Sequence, residues 1–207
     1  MSEELEGIGG RIREERTKAG ISQRELARRL DLSASLISQL EKGVSKPSVG
    51  TLYAIVTELD LSLDGLLRGS DKSPQSPTQS GNGDTKAANP LVHPEERRGI
   101  DLASGVRWEE LTPSPERGID FLHAIYEVGG ASTPDESLMR HEGQEYGYVM
   151  SGKLGIQLAF DHYVLESGDS IGFESTKPHR LYNLGDEPVH AIWLVVDRGA
   201  DDRTAST

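Results

Sequence analysis

The chain is 207 residues long, carries a net charge of −12 and contains no cysteine. That length suits one large domain or two small ones, and the lack of cysteine excludes a disulfide framework, a thiolate metal site and a cysteine nucleophile. No apolar run approaches the roughly 18 residues of a membrane span, and the acidic opening MSEELEG is unlike a secretory signal, so a cytoplasmic protein without membrane contact is expected.

The acidity is uneven. Residues 1–68 hold 10 Lys and Arg against 11 Asp and Glu, and the remainder holds 12 against 23. A nearly neutral N-terminal unit can still bind DNA if its basic side chains gather on one face, because phosphate neutralisation is local.

From the N terminus, apolar residues recur at helical spacing in short blocks. The first runs from about Ile8 to Ala19, and Ser22, Ser33, Ser48 and Ser62 each precede a further block, which predicts five helices opened by capping serines. Gly20 and Gly43 stand where C-terminal caps are expected. The second and third helices meet in a tight turn at Asp31–Leu32, the arithmetic of a helix-turn-helix. Leu26, Ala27 and Leu30 are expected to pack on Leu36, Ile37 and Leu40, which leaves Ser33, Ala34, Ser35, Ser38 and Gln39 facing outward.

The run from Ile8 to Leu67, with SQRELA, ISQLEKG and the following KPS, resembles the lambda-repressor/Cro-like helix-turn-helix of the XRE family of transcriptional regulators. The resemblance implies that the third helix lies in the major groove, with Ala34, Ser35, Ser38 and Gln39 at base edges. Ser22, Gln23, Lys42, Ser45 and Lys46 then fall where the family holds phosphates. Ser22 and Ser33 are N-caps first and DNA contacts second, and the two-ended amide of Gln39 is the best reader of a base. The resemblance also implies that Arg16 and Glu41 pair inside the domain.

Residues 69–90, GSDKSPQSPTQSGNGDTKAANP, carry almost no large apolar side chain and read as a flexible linker between domain 1–68 and domain 91–198. Residues 199–207 read as a disordered tail. Between linker and tail the pattern changes to short β-type runs such as GVRWEEL, IDFLHAIYEV, YGYVM, LGIQLAF and VHAIWLVV, separated by turn signals. Many short strands predict an all-β barrel or sandwich.

Within it, MRHEGQEYGYVMSG places Glu145, Gly147 and Val149 on one face of a strand and Tyr146, Tyr148 and Met150 on the other. A bend upstream would bring His141 to the face of Glu145. In GDSIGFESTKPHRLYN, His179 aligns by period 2 with Leu181 and Asn183. Two histidines and a carboxylate on one interior suit a divalent metal such as Fe, Mn, Ni or Zn. The same residues also suit an organic effector pocket without metal, or a purely structural role. Tyr146, Tyr148 and Trp193 are expected to pack between strands or across a dimer, and His123 and His190 to be satisfied core histidines. No P-loop, dinucleotide fingerprint or nucleophile elbow is present.

The spacing of His141, Glu145 and Gly152, and of Gly168, His179 and Asn183, resembles the two motifs of cupin barrels, the double-stranded β-helix or jelly-roll fold. The leading histidine of the first motif is Met139 here, and the proline and glycine of the second are Glu174 and Thr176. The resemblance therefore implies a three-residue ligand set of His141, Glu145 and His179, a sensor barrel and a homodimer joined through the barrels on a palindromic operator. Fosfomycin epoxidase, which joins a similar helix-turn-helix to a cupin, is similar in holding iron with such a triad, so a non-haem iron oxygenase or epoxidase is the alternative. The lysine that the epoxidase delivers from its helical domain is matched here by Gly20. Because a disordered tether transmits little, the head or the segment LVHPEERRGIDL is expected to touch the barrel.

Overall fold

Three serine-capped helices and one longer helix build the head. The computed structural model describes residues 3–61, 63, 66, 89–113 and 118–196. Apart from Asn89 and Pro90, the expected linker lies outside the described residues, as does the expected tail. Helix α1 spans Glu3–Lys18, α2 Gln23–Arg29, α3 Ala34–Glu41 and α4 Val49–Glu58. Helix α1 begins ahead of Ile8, where the apolar periodicity starts, because the first turns of a helix need no apolar face. Of the expected fifth helix only Leu63 and Leu66 are described, and both are helical and buried.

The side-chain oxygens of Ser22, Ser33 and Ser48 accept from the backbone N–H of Glu25, Leu36 and Thr51. Each such cap stabilises a helix start by about 1 kcal/mol. Gly20 and Gly43 take φ of 70° and 65°, the left-handed conformation that ends a helix at little steric cost. Leu26, Ala27, Ile37 and Leu40 are buried between α2 and α3, with Leu30 and Leu36 partly buried against them.

Arg16 and Glu41 form the internal pair. Arg16 Nη2 donates to Glu41 Oε2 at 3.0 Å and Arg16 Nη1 to the Ile21 carbonyl at 2.6 Å. Gln23 Nε2 adds a bond to Glu41 Oε2 at 2.6 Å. Burial pushes the Glu41 carboxyl up, but the Arg16 guanidinium and the Gln23 amide outweigh it and hold the group below its ordinary 4.5.

The second domain has strands β1 Gly99–Leu102, β2 Val106–Glu110, β3 Ile119–Tyr126, β4 Gln144–Ser151, β5 Leu154–Leu158, β6 Asp161–Leu165, β7 Ser170–Glu174, β8 His179–Asn183 and β9 Val189–Val196. They form a six-stranded sheet, β1-β2-β3-β9-β4-β7, and a three-stranded sheet, β6-β5-β8. Residues alternate in and out along β2, β3, β8 and β9, as a sheet with one buried face requires. Strands β1, which alternates over only two buried residues, and β6 are not among the β-type runs of the sequence. The first is four residues long, and four of the five residues of β6 are exposed, so it has no alternation to detect.

The head rests on the barrel. The Pro47 carbonyl accepts from Ala103 N–H at 2.8 Å, and Gly50 N–H donates to the Ser132 carbonyl at 3.3 Å. Lys46 Nζ lies 3.4 Å from Asp101 of β1, in the segment that follows the expected linker. Tyr53 of α4 is 4 % exposed, with its ring edge-on to Trp108 at 5.5 Å.

Candidate metal centre and DNA-facing helix

Strand alternation turns Glu145 inward from β4, with Gly147 and Val149 on the same face and Tyr146, Tyr148 and Met150 outward. Strand β8 turns His179, Leu181 and Asn183 inward. His141 precedes β4 in a loop fixed at both ends. Its N–H donates to the Ser175 carbonyl at 3.0 Å, and Met139 and His179 exchange backbone bonds of 2.9 and 2.8 Å.

The three side chains converge. His141 Nε2 is 2.9 Å from Glu145 Oε1, and His179 Nε2 is 3.1 Å from the same oxygen, with side-chain exposures of 1, 3 and 0 % for His141, Glu145 and His179. Despite the short distances neither approach has hydrogen-bond geometry, and among the described residues all three atoms are buried without a hydrogen-bond partner.

The outer atoms of the same groups are satisfied. His141 Nδ1 donates to the Glu142 carbonyl at 3.0 Å, and His179 Nδ1 to the Lys177 carbonyl at 2.8 Å. Because a carbonyl can only accept, both Nδ1 atoms carry the proton, and in the neutral rings the Nε2 lone pairs face the carboxylate. Trp193 Nε1 donates to Glu145 Oε2 at 2.7 Å and fixes the carboxylate. Inner lone pairs left free while outer atoms are held by carbonyls and an indole is the arrangement that orients metal ligands. The cluster could hold a metal ion, and its two imidazoles and one carboxylate suit a divalent one.

Gly147 has a specific reason. A Cβ there would lie 2.0 Å from Trp193 Cζ3, so the space beside Glu145 is taken by the indole. A glycine inside a strand marks such a close approach, and that signal in EYGYVM also points to Trp193. Trp193 of β9 packs between strands, against Gly147 of β4, and in addition its N–H reaches the candidate ligand Glu145. Tyr146 and Tyr148 lie on the outer face, about half exposed. His123 and His190 also differ from the core reading. They sit part-buried on the outer face of the large sheet, with His123 Nδ1 3.1 Å from Glu109 Oε2 and Nε2 3.1 Å from His190 Nδ1.

On α3, Ser35 and Gln39 are exposed and Ser38 is half-buried, whereas Ala34 is partly buried against the core. Ser45 Oγ donates to Oε1 of the exposed Gln39 at 3.2 Å. Ser22 and Ser33 are exposed N-caps, Lys42 and Lys46 are exposed, and the Gln23 amide is turned inward onto Glu41. Val44, 64 % exposed just past α3, was not among the sequence candidates. It offers an apolar contact of the kind that meets a thymine methyl.

A helix-turn-helix family model matches residues 12–66, and a cupin domain model matches residues 122–195. The chain is 27 % identical to the HTH-type transcriptional regulator PuuR of Escherichia coli over 88 % of this chain and 91 % of that one. It is 22 % identical to the HTH-type transcriptional regulator SutR of the same organism over 89 % and 91 %. A crystal structure of an HTH_3 family transcriptional regulator from Vibrio cholerae superposes with a TM-score of 0.64 at 19 % identity, covering 93 % of this chain and 96 % of that one, which shows a shared fold.

Proposed function

From the premise that the chain joins an XRE-type helix-turn-helix domain to a C-terminal cupin domain, we propose that it is a sequence-specific DNA-binding transcriptional regulator whose barrel senses a small molecule or metal. The observation that carries this reading is the outward face of α3, with Ser35 and Gln39 exposed, on a head seated against the candidate ligand cluster. In the proposed complex Ala34, Ser35, Ser38 and Gln39 meet base edges. Ser22, Gln23, Ser33, Lys42, Ser45 and Lys46 line the phosphates, Gln23 through its backbone at the start of α2.

His141, Glu145 and His179 would hold one divalent metal, Fe, Mn, Ni or Zn. Such an ion supplies an electrophilic centre with open positions for a ligand's oxygen atoms. Trp193 and the Glu142 and Lys177 carbonyls orient the three ligands.

The reading includes a homodimer through the barrels, whose apolar outer face at Tyr146, Tyr148, Ile192 and Leu194 suits an isologous contact. Two heads then meet a palindromic operator. We place the head at 1–68, a linker at 69–90, the barrel at 91–198 and a tail at 199–207, in a cytoplasmic protein. No described helix is long and apolar enough to cross a membrane.

The test is binding of the purified protein to its own promoter DNA across a salt series, with metal analysis of the same sample. Tight binding that falls steeply with salt supports the regulator. The ligand cluster by itself would also serve a non-haem iron oxygenase, and substrate-dependent oxygen consumption by iron-loaded protein without specific DNA binding would replace the regulator with that enzyme.

A further inference from the structure

The candidate ligand cluster lies under the head. Tyr53 of α4 stacks on His141 with ring centroids 4.1 Å apart and planes 11° from parallel. One turn earlier, Gly50 sits over Thr133 and Met139, two residues ahead of His141. Phe173 of β7 packs beside His179 at 5.2 Å, and Trp193 of β9 lies behind Glu145.

These covers are not equally removable. Phe173 and Trp193 belong to strands held in ladders on β4, and Met139 is bridged to His179. Helix α4 is held by the Gly50–Ser132 hydrogen bond, the neighbouring Pro47–Ala103 bond, the Lys46–Asp101 contact and the Tyr53 ring.

We propose that α4 is the lid of the barrel site: a ligand larger than a metal ion reaches His141, Glu145 and His179 only when α4 lifts from the barrel, so ligand occupancy and head docking exclude each other. The proposal rests on reading those three residues as a ligand site. It gives the sensor its output without a transmission path through the expected linker. A ligand that binds only the undocked state has its apparent affinity lowered by the undocked fraction, and on binding it converts a fixed head into a tethered one. Ser35 and Gln39 of α3 are exposed in the docked head, so docking sets where the head stands while leaving them open. Lys46 alone belongs to both surfaces, and release from Asp101 frees it for a phosphate.

The test is a staple. A Cβ at position 50 would lie 3.4 Å from Met139 Cβ, close to the roughly 3.5–4.5 Å that a disulfide spans. The chain has no other cysteine, so the Gly50→Cys, Met139→Cys double variant can form a single intramolecular bridge. Full-length, metal-free protein is treated with diethyl pyrocarbonate, and the modification of each histidine is followed by mass spectrometry. Exposed His162 is the internal reference.

The expected result is that His141 modification in the oxidised staple falls by about tenfold or more relative to the reduced staple, the loss of the open population, with His162 unchanged. Equal His141 rates in the two forms overturn the lid. Tyr53→Ala supplies the opposite arm: faster His141 modification supports the lid, and an unchanged rate overturns it even if the staple variant does not fold. Cobalt(II) titration of the wild type tests the ligand-site reading separately. Gated labelling without cobalt binding keeps the lid and discards the metal, and one-to-one cobalt binding with ungated labelling does the reverse.

Discussion

The Tyr53 ring lies flat on the His141 imidazole, 4.1 Å away, and meets Trp108 edge-on at 5.5 Å. One side chain of the helical head therefore forms a wall of the barrel's polar cluster. The two domains share this buried contact, and their stabilities are coupled through it.

Tyr53→Ala removes that wall. Truncating a buried aromatic costs about 3–5 kcal/mol, and here the loss falls on the joint between domains. Urea unfolding of the wild type is expected to proceed in one transition by both circular dichroism and tryptophan emission. In the variant, head and barrel are expected to unfold separately, with the head first.

Trp193→Phe keeps the ring and deletes the donor to Glu145 Oε2. Loss of an outer partner of a metal ligand weakens metal binding by about 10–100-fold. Calorimetric titration with cobalt(II) or zinc should show that loss with little change in melting temperature. An unchanged affinity would mean that the indole does not position Glu145.

Gly147→Ala drives a methyl into the Trp193 ring, 2.0 Å from Cζ3. Overpacking of this kind costs about 1–3 kcal/mol, and the displaced indole is expected to take cobalt affinity with it. Combined with Trp193→Phe the penalties should be non-additive, because both act on the same contact. A double-mutant cycle in thermal denaturation and cobalt titration measures the coupling.

Arg16→Ala strands the Glu41 carboxylate, 6 % exposed, with Gln23 as its remaining bonded partner. Breaking a buried pair from one side costs about 3–5 kcal/mol. In the wild type the Glu41 carboxyl is held below its ordinary 4.5. Its contribution is thus complete above pH 4.5 and is lost as pH falls through the lowered value. In the variant the sign reverses, because protonation relieves an unpaired buried charge. Urea midpoints measured on either side of pH 4.5 separate the two behaviours.

Gln39→Ala and Lys42→Ala divide the proposed DNA contacts by kind. Losing a bidentate base reader costs about 1–3 kcal/mol and relaxes discrimination at one base position. Losing a phosphate contact weakens all sequences alike and lowers the salt slope by about one. Fluorescence anisotropy on operator and scrambled DNA at several salt concentrations should show this division.

Much of the fold was legible because its signals are local. The serines at 22, 33 and 48 act within one turn of the helices they cap, and the alternation of Glu145, Gly147 and Val149 or of His179, Leu181 and Asn183 follows from the pleat of a single strand. Where local signals fade the reading missed elements. Strand β6 has no alternation, and the bend expected ahead of Glu145 gets its geometry from the backbone bond of His141 to Ser175, a contact between distant segments.

By itself the sequence determined which residues can cap, which face of each strand turns inward, and that His141, Glu145 and His179 are available as a set. Only the tertiary structure decided that their inner atoms meet without hydrogen bonds, that Trp193 fills the space Gly147 leaves, and that Tyr53 closes the site from another domain. Side-chain periodicity is a property of one backbone segment. A candidate ligand cluster with its outer partners and its cover is a property of distances between segments, and those are fixed only when the sheets pair and the head docks.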